Sequence, residues 1–270
     1  NALSYSLEQL AEMHNLSFSG YFVPADMTAA QVADFWRANQ IDATRCVVMH
    51  DASGAYVGMA RMGTRGTRGW CGGFGIVPAF RGTGTSKLLA AEMVHVARES
   101  GLNLLQLEVL TQNVRAIKLY ESVGFMITRR LFGLEITTST LPANTASSLT
   151  IERVPLETLP YFYPQSYVRP CWSLELPSVL TVPCEVYVAN GPDSRMNVFV
   201  ALRLADKVRV QAMLQSQLTD EEFAATLRAV ARDATTLQIF NEPEDSPLLQ
   251  RYVKLGFTEF FSQYEMLLHF

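Results

Sequence analysis

Apolar positions in the first third of the chain recur at helical spacing and then give way to strand-like runs. Leu3, Leu7, Leu10 and Met13 lie three to four residues apart, which predicts an amphipathic helix over residues 3–14. Val32, Phe35 and Trp36 predict a second helix, capped by Thr28 and running to about Asn39. Three extended segments follow: RCVVMH (45–50), AYVGMARM (55–62) and WCGGFGIV (70–77). DASG (51–54) reads as a hairpin turn, and the Gly- and Arg-rich GTRGTRG as a connecting loop that gathers Arg61, Arg65 and Arg68. Pro78 stops the third strand, and a helix follows from about Gly84 to Ser100, where Gly101 ends it. LLQLEVL (104–110) is almost continuously apolar, as befits a strand covered on both faces. A further helix ends at Gly124, and FMITRRLFGLEIT returns as a strand. The order predicts an α/β (α+β) fold: a mixed, mostly antiparallel sheet with helices on both faces.

The second half has its own rhythm. TSTLPANTASSLT (138–150) is polar and reads as a linker between a domain over 1–140 and a smaller one over 150–270, a division that suits 270 residues. Seven of the twelve prolines fall between Pro155 and Pro192, which predicts an irregular, wrapping stretch. EVYVAN, MNVFVALRL, KVRVQAML and TLQIF read as strands, and TDEEFAATLRAVARD as a helix capped by Thr219. SPLLQRYVKLGF then echoes AIKLYESVGF: aligning Gly124-Phe125 with Gly256-Phe257 sets Tyr120 over Tyr252. The second half therefore reads as a shortened, diverged copy of the first. Where the first half has a glycine-rich turn, the copy has QSQLTDEE, so it is not expected to bind the same ligand.

Composition narrows the field. A net charge of -4 with 18% charged residues gives no basic face for nucleic acid, which is not expected as a partner. No apolar run approaches the ~18 residues of a membrane span, and no signal peptide is visible. The four cysteines (Cys46, Cys71, Cys171, Cys184) form no CxxC pair and have no histidine at ligand spacing, so no metal site is expected. They read as reduced thiols, and the chain as soluble and cytoplasmic, acting as a monomer or homodimer.

The most informative stretch is FGIVPAFRGTGTSKLLAAEM (74–93): strand, proline, Gly-rich turn, helix. Glycines in Arg81-Gly82-Thr83-Gly84-Thr85-Ser86 allow backbone N–H groups to converge on an anion, and the helix behind them adds its own free amides. A pyrophosphate fits such a turn, whereas neither a P-loop nor a GxGxxG fingerprint is present. Arg81-x-x-Gly84-x-Ser86 after Val-Pro resembles the acyl-CoA signature of the GNAT acetyltransferase superfamily, with serine where that family carries glycine or alanine. Downstream, LEVLTQNVRAIKLYESVGF resembles the same family's later motif. The resemblance covers 74–125, and the helical start fits the family's order over 1–138.

This resemblance implies acetyl-CoA as acyl donor, held where the sheet opens between the strands at 70–77 and 104–110. Ile76 and Val77 would meet the pantetheine arm with backbone groups. Arg81, Gly82, Thr83, Gly84, Thr85 and Ser86 would hold the diphosphate, and Asn113 would lie near the thiol end. Tyr120 matches the family tyrosine that serves the leaving thiolate, as proton donor or hydrogen bond; packing on the helix face is the other reading. Glu108 matches a glutamate that serves as base, often through water, in members that modify protein N-termini. A structural strut, with the amine's proton leaving through ordered water, fits Glu108 as well. Phe18, Tyr21, Phe22 and Trp70 are candidates for the acceptor pocket, where aromatics enclose an apolar amine or stack on a cation; core packing is their alternative. The implied reaction is N-acetylation of a primary amine, with a small molecule as first expectation. A protein N-terminus or lysine is the second, and a non-catalytic acetyl-CoA-sensing module the third.

Overall fold

The computed structural model describes residues 1–23, 25–142, 149–163, 168–212 and 217–270. The chain forms two compact units: residues 1–128 together with 264–270, and residues 129–263.

In the first unit, α1 (Leu7–Phe18) and α2 (Ala29–Asn39) precede a meander of β1 (Val47–His50), β2 (Tyr56–Arg65) and β3 (Arg68–Ile76). Then come α3 (Thr85–Glu99), β4 (Leu104–Leu110), α4 (Val114–Ser122) and the start of β5 (Met126–Thr137). The first helix begins four residues later than its apolar spacing predicts. Ser6 accepts from the Gln9 backbone while Gln9 takes the Ser6 N–H, a reciprocal cap that fixes the start and carries the helix on to Phe18. The expected loop 63–69 is also mostly strand, because pairing continues to Arg65↔Arg68 and only Gly66 and Thr67 turn.

Side-chain alternation sorts this sheet into two faces. Met59 meets Leu10, Met13 and Val32 of α1 and α2. Ala60 and Met62 point the other way, packing with Leu89 and Met93 of α3 and with Ile117 and Tyr120 of α4. Past β4 the sheet is completed not by the next strand in sequence but by the last one, β11 (Thr258–His269). Its end, from Tyr264, belongs to this unit and places Met266 and Leu268 in the α3/α4 core.

The second unit repeats the scheme. After β6 (Thr150–Val154) and the short α5 (Leu159–Phe162) and α6 (Leu176–Val179) comes the meander β7 (Cys184–Asn190), β8 (Met196–Arg203) and β9 (Lys207–Ala212). Then follow α7 (Asp220–Val230), β10 (Thr236–Pro243) and α8 (Leu249–Lys254). As β3 and β4 are parallel, so are β9 and β10. Here β10 pairs antiparallel with β5. The last strand of each repeat thus closes the sheet of the other. That exchange puts the boundary at 128/129 instead of in the polar stretch at 138–150, and returns 264–270 to the first unit. Residues 143–148 of that stretch, and 213–216 of the turn after β9, lie outside the described residues.

The echo at the helix ends has a matching geometry. Gly124 and Gly256 adopt φ of 103° and 92°, and Phe125 N and Phe257 N each donate back to the tyrosine five residues earlier, at 3.0 and 3.1 Å. Tyr120 and Tyr252 are both buried.

Candidate active site

The site begins where a sheet stops pairing. β3 and β4 run parallel through Arg68↔Leu104, Gly69↔Leu105 and Trp70↔Gln106, and no further pair follows. Val77 N donates to Val57 O at 2.9 Å, so residues 75 and 77 turn their amides toward β2; by alternation Phe74 and Ile76 turn theirs toward the opening. Val77 is engaged on both sides, since its carbonyl accepts from Phe80 N, and the Ile76 carbonyl accepts from Arg81. The backbone edge facing the opening is therefore Phe74 and the Ile76 N–H, not Val77.

The turn before α3 has the geometry its glycines permit. Gly82 and Gly84 adopt φ of 81° and 89°, Gly84 is the N-cap residue, and nothing lies within 4 Å of where a Cβ on either would stand. Among the described residues, no partner takes the backbone N–H groups from Gly82 to Ser86, while Thr83 Oγ1 bonds Phe80 O and Thr85 Oγ1. These amides at the positive end of a 15-residue helix suit a diphosphate. Arg81 has a different part. Its Nε donates to Ile76 O at 2.9 Å, and its Nη2 to Ser17 O at 3.0 Å and Ser19 O at 2.8 Å, tying the turn to the end of α1. Its backbone N–H goes to Pro78 O, so Arg81 braces the turn through its main chain, Nε and Nη2.

Tyr120 projects from α4 between Phe74 and Phe125, with both ring centroids 5.8 Å away. Burial holds its phenol well above its ordinary value, with Cys71 and Tyr21 adding to the shift, so the hydroxyl stays protonated. Asn113 caps α4, its Oδ1 accepting from Ala116 N at 3.2 Å, and its side chain also meets the hydroxyl of Tyr21. Burial raises the Tyr21 phenol and the Asn113 contact partly offsets it.

On the α1/α2 face, Trp70 Nε1 donates to Glu108 Oε2 at 2.6 Å. Trp70 is only 6% exposed, its ring tilts against Phe35, and a Cβ on Gly72 would stand 2.2 Å from it. It therefore orients Glu108 and is not an open wall of a pocket. Phe18, Tyr21 and Phe22 form an edge-to-face series, with centroids 5.3 and 5.5 Å apart, ending at exposed Phe22.

Of the expected arginine cluster, Arg65 and Arg68 stand opposite each other at the end of the β2–β3 ladder, where Arg65 Nε reaches Gln40 and Arg68 Nη1 lies toward Gln106, whereas Arg61 turns inward, 4% exposed. Its guanidinium lies 4.9 Å from the Phe35 ring centroid and 5.8 Å from that of Phe18, in the space that a Cβ on Gly73 would take. Burial pushes its pKa down to about 10, with Cys46, Cys71 and Tyr56 opposing, which leaves it charged at neutral pH. Beside it, His14 donates from Nε2 to Ala25 O, and burial followed by the Arg61 charge pushes His14 down to about 4. An arginine inside the apolar run AYVGMARM was the available signal for this arrangement; nothing in the sequence singled out His14.

The four cysteines are free; burial raises Cys46 to about 11 and Cys71 to about 12, so neither is a reactive thiolate. Among the described residues there is no group of three or more His, Cys, Asp or Glu able to hold a metal, and no helix long and apolar enough to cross a membrane.

Residues 7–125 match the model of the acetyltransferase (GNAT) family. No curated protein matches the chain. Among solved structures, a GCN5-related N-acetyltransferase from Sphaerobacter thermophilus superposes with a TM-score of 0.71 at 14% identity, covering 98% of this chain and 92% of that one. A tandem GNAT protein from the clavulanic acid biosynthesis pathway gives 0.68 at 10% identity, covering 98% and 94%. A putative acetyltransferase from Pyrococcus horikoshii gives 0.64 at 13%, covering 98% and 86%. Residues 7–125 thus match the acetyltransferase (GNAT) family model, and the chain over nearly its whole length shares the fold of these solved N-acetyltransferase structures.

Proposed function

We propose that the first unit transfers the acetyl group of acetyl-CoA to a primary amine of a small molecule by direct attack. The observation that carries this reading is the row of unengaged amides from Gly82 to Ser86, at the head of α3 and beside the opening between β3 and β4. Acetyl-CoA would supply a diphosphate for those amides and a thioester whose C–S bond breaks, releasing coenzyme A, as the amine nitrogen bonds the carbonyl carbon. The chain's part is positioning and proton movement. Phe74 and the Ile76 N–H offer an extended edge along which a pantetheine arm aligns. Tyr120, kept protonated by burial, gives its proton to the departing sulfur. Glu108, oriented by Trp70, draws the proton from the amine, directly or through water.

Release of free thiol from acetyl-CoA across a panel of amines tests the proposal. Turnover on small amines supports it. Turnover restricted to peptides would redirect it to protein acetylation, and acetyl-CoA binding without turnover on any acceptor would leave a sensing module. No heat on titration with coenzyme A would remove the acyl-CoA reading altogether.

A further inference from the structure

A cation in a protein interior is retained when something offsets the lost hydration, usually a carboxylate. Arg61 lacks one. Among the described residues its Nη1 is sealed from solvent with no hydrogen-bond partner, and no carboxylate acts on its charge. Its surroundings are the rings of Phe18 and Phe35, the Gly73 backbone, the thiols of Cys46 and Cys71, the Tyr56 hydroxyl and neutral His14. Tyr56 is occupied with Ser17, at 2.6 Å. The groups that act on its charge are Cys46, Cys71 and Tyr56, which burial keeps protonated; Glu108, Asp42 and Asp26 act on its neighbours Cys71, Cys46 and His14.

The architecture keeps this position clear. Arg61 stands opposite Gly73 across the β2–β3 ladder, and a Cβ there would fall 2.1 Å from Nη2. Gly72, next to it, makes the same room for the Trp70 ring that holds Glu108. The Gly-Gly step of β3 thus leaves space for a cation and for the tryptophan that orients a carboxylate, both on the α1/α2 face. From the surface, exposed Phe22 leads through Tyr21 to Phe18, which lies over Arg61.

We infer that Arg61 binds an anionic group of the acyl acceptor, so that the substrate is an amine that also bears a carboxylate. This rests on the acetyltransferase reading above. The guanidinium offers a planar donor fork that fits a carboxylate, and the aromatic walls leave the acceptor's apolar part packed between anion and amine.

Matched pairs of acceptors test it: amino acids and ω-amino acids against their carboxamides, with the wild-type protein and with Arg61→Gln and Arg61→Lys. Thiol release and calorimetric titration of the N-acetylated products, with coenzyme A present, are the two readouts. In the wild type the carboxylates are expected to show KM values about 10–100-fold below those of the amides, the discrimination of one charge-assisted hydrogen-bond pair. Arg61→Gln should erase that difference between acids and amides, and Arg61→Lys should restore part of it. Should either variant fail to fold, the wild-type comparison decides alone. Equal turnover of acids and amides overturns the inference while leaving the acetyltransferase reading intact. Failure of any acceptor to release thiol removes that reading, and carboxylate binding without preference over the amide then overturns the inference by calorimetry.

Discussion

The indole of Trp70 donates to the Glu108 carboxylate across 2.6 Å, bridging β3 and β4 where their backbones cease to pair. A side-chain bond takes over where the ladder hydrogen bonds end, so the carboxylate has a defined direction at the mouth of the opening. Trp70→Phe keeps most of the ring and removes only the donor. Steady-state kinetics should show kcat lowered about tenfold with KM for acetyl-CoA unchanged, and Glu108→Gln lowered by about 10²-fold or more. Normal turnover in Glu108→Gln would leave the carboxylate as a strut.

Tyr120 and Tyr252 occupy equivalent places in the two repeats, yet removal of their hydroxyls should have opposite consequences. Tyr120→Phe is expected to lower turnover by about 10²–10⁴-fold while coenzyme A binding survives. Tyr252 is fully buried and its hydroxyl has no partner. Tyr252→Phe should therefore leave the protein as stable or up to about 1 kcal/mol more stable, read by urea denaturation.

His14 sets a pH dependence of stability. Its folded pKa of about 4 lies below its ordinary 6.5, so the unfolded chain binds the extra proton first. The contribution is complete above about pH 6.5 and is lost as pH falls through about 4. Denaturation midpoints across this window should decline in the wild type and decline less in His14→Gln. Equal slopes would show that other groups dominate.

The first unit needs the end of the chain. Met266 is fully buried against α3 and α4, Leu268 nearly so, Phe270 N donates to Asn103 O, and Thr128 Oγ1 donates to Glu265 O. Met266→Ala should cost about 2–5 kcal/mol. A fragment of residues 1–140 should give a poorly protected core by hydrogen exchange, which an added strand of residues 258–270 improves. A fragment 1–140 with native-like protection would show that β5 closes its own sheet when β11 is absent.

Much of the fold was legible because it depends on local patterning. The Thr28 cap on α2, the Thr219 cap on α7, the apolar run of β4, and Gly101 and Gly124 after their helices all stand where their chemistry places them. So does the turn at Gly82 and Gly84, since positive φ is a demand that glycine answers without help from distant residues. The helical start at residue 7 was not legible from spacing, because the Ser6–Gln9 cap outweighed Leu3.

The sequence by itself determined the order of elements, the repeat marked by Tyr120 and Tyr252, and the positive-φ glycine turn ahead of α3. Only tertiary structure decided that β5 and β11 change places, that Arg81 braces α1, that Trp70 serves Glu108, and that Arg61 turns inward while Arg65 and Arg68 do not. The physical reason is the same in each case. Strand partners and the ends of long side chains are chosen by groups far away in sequence, and two strands with alternating apolar faces fit either sheet until packing selects one.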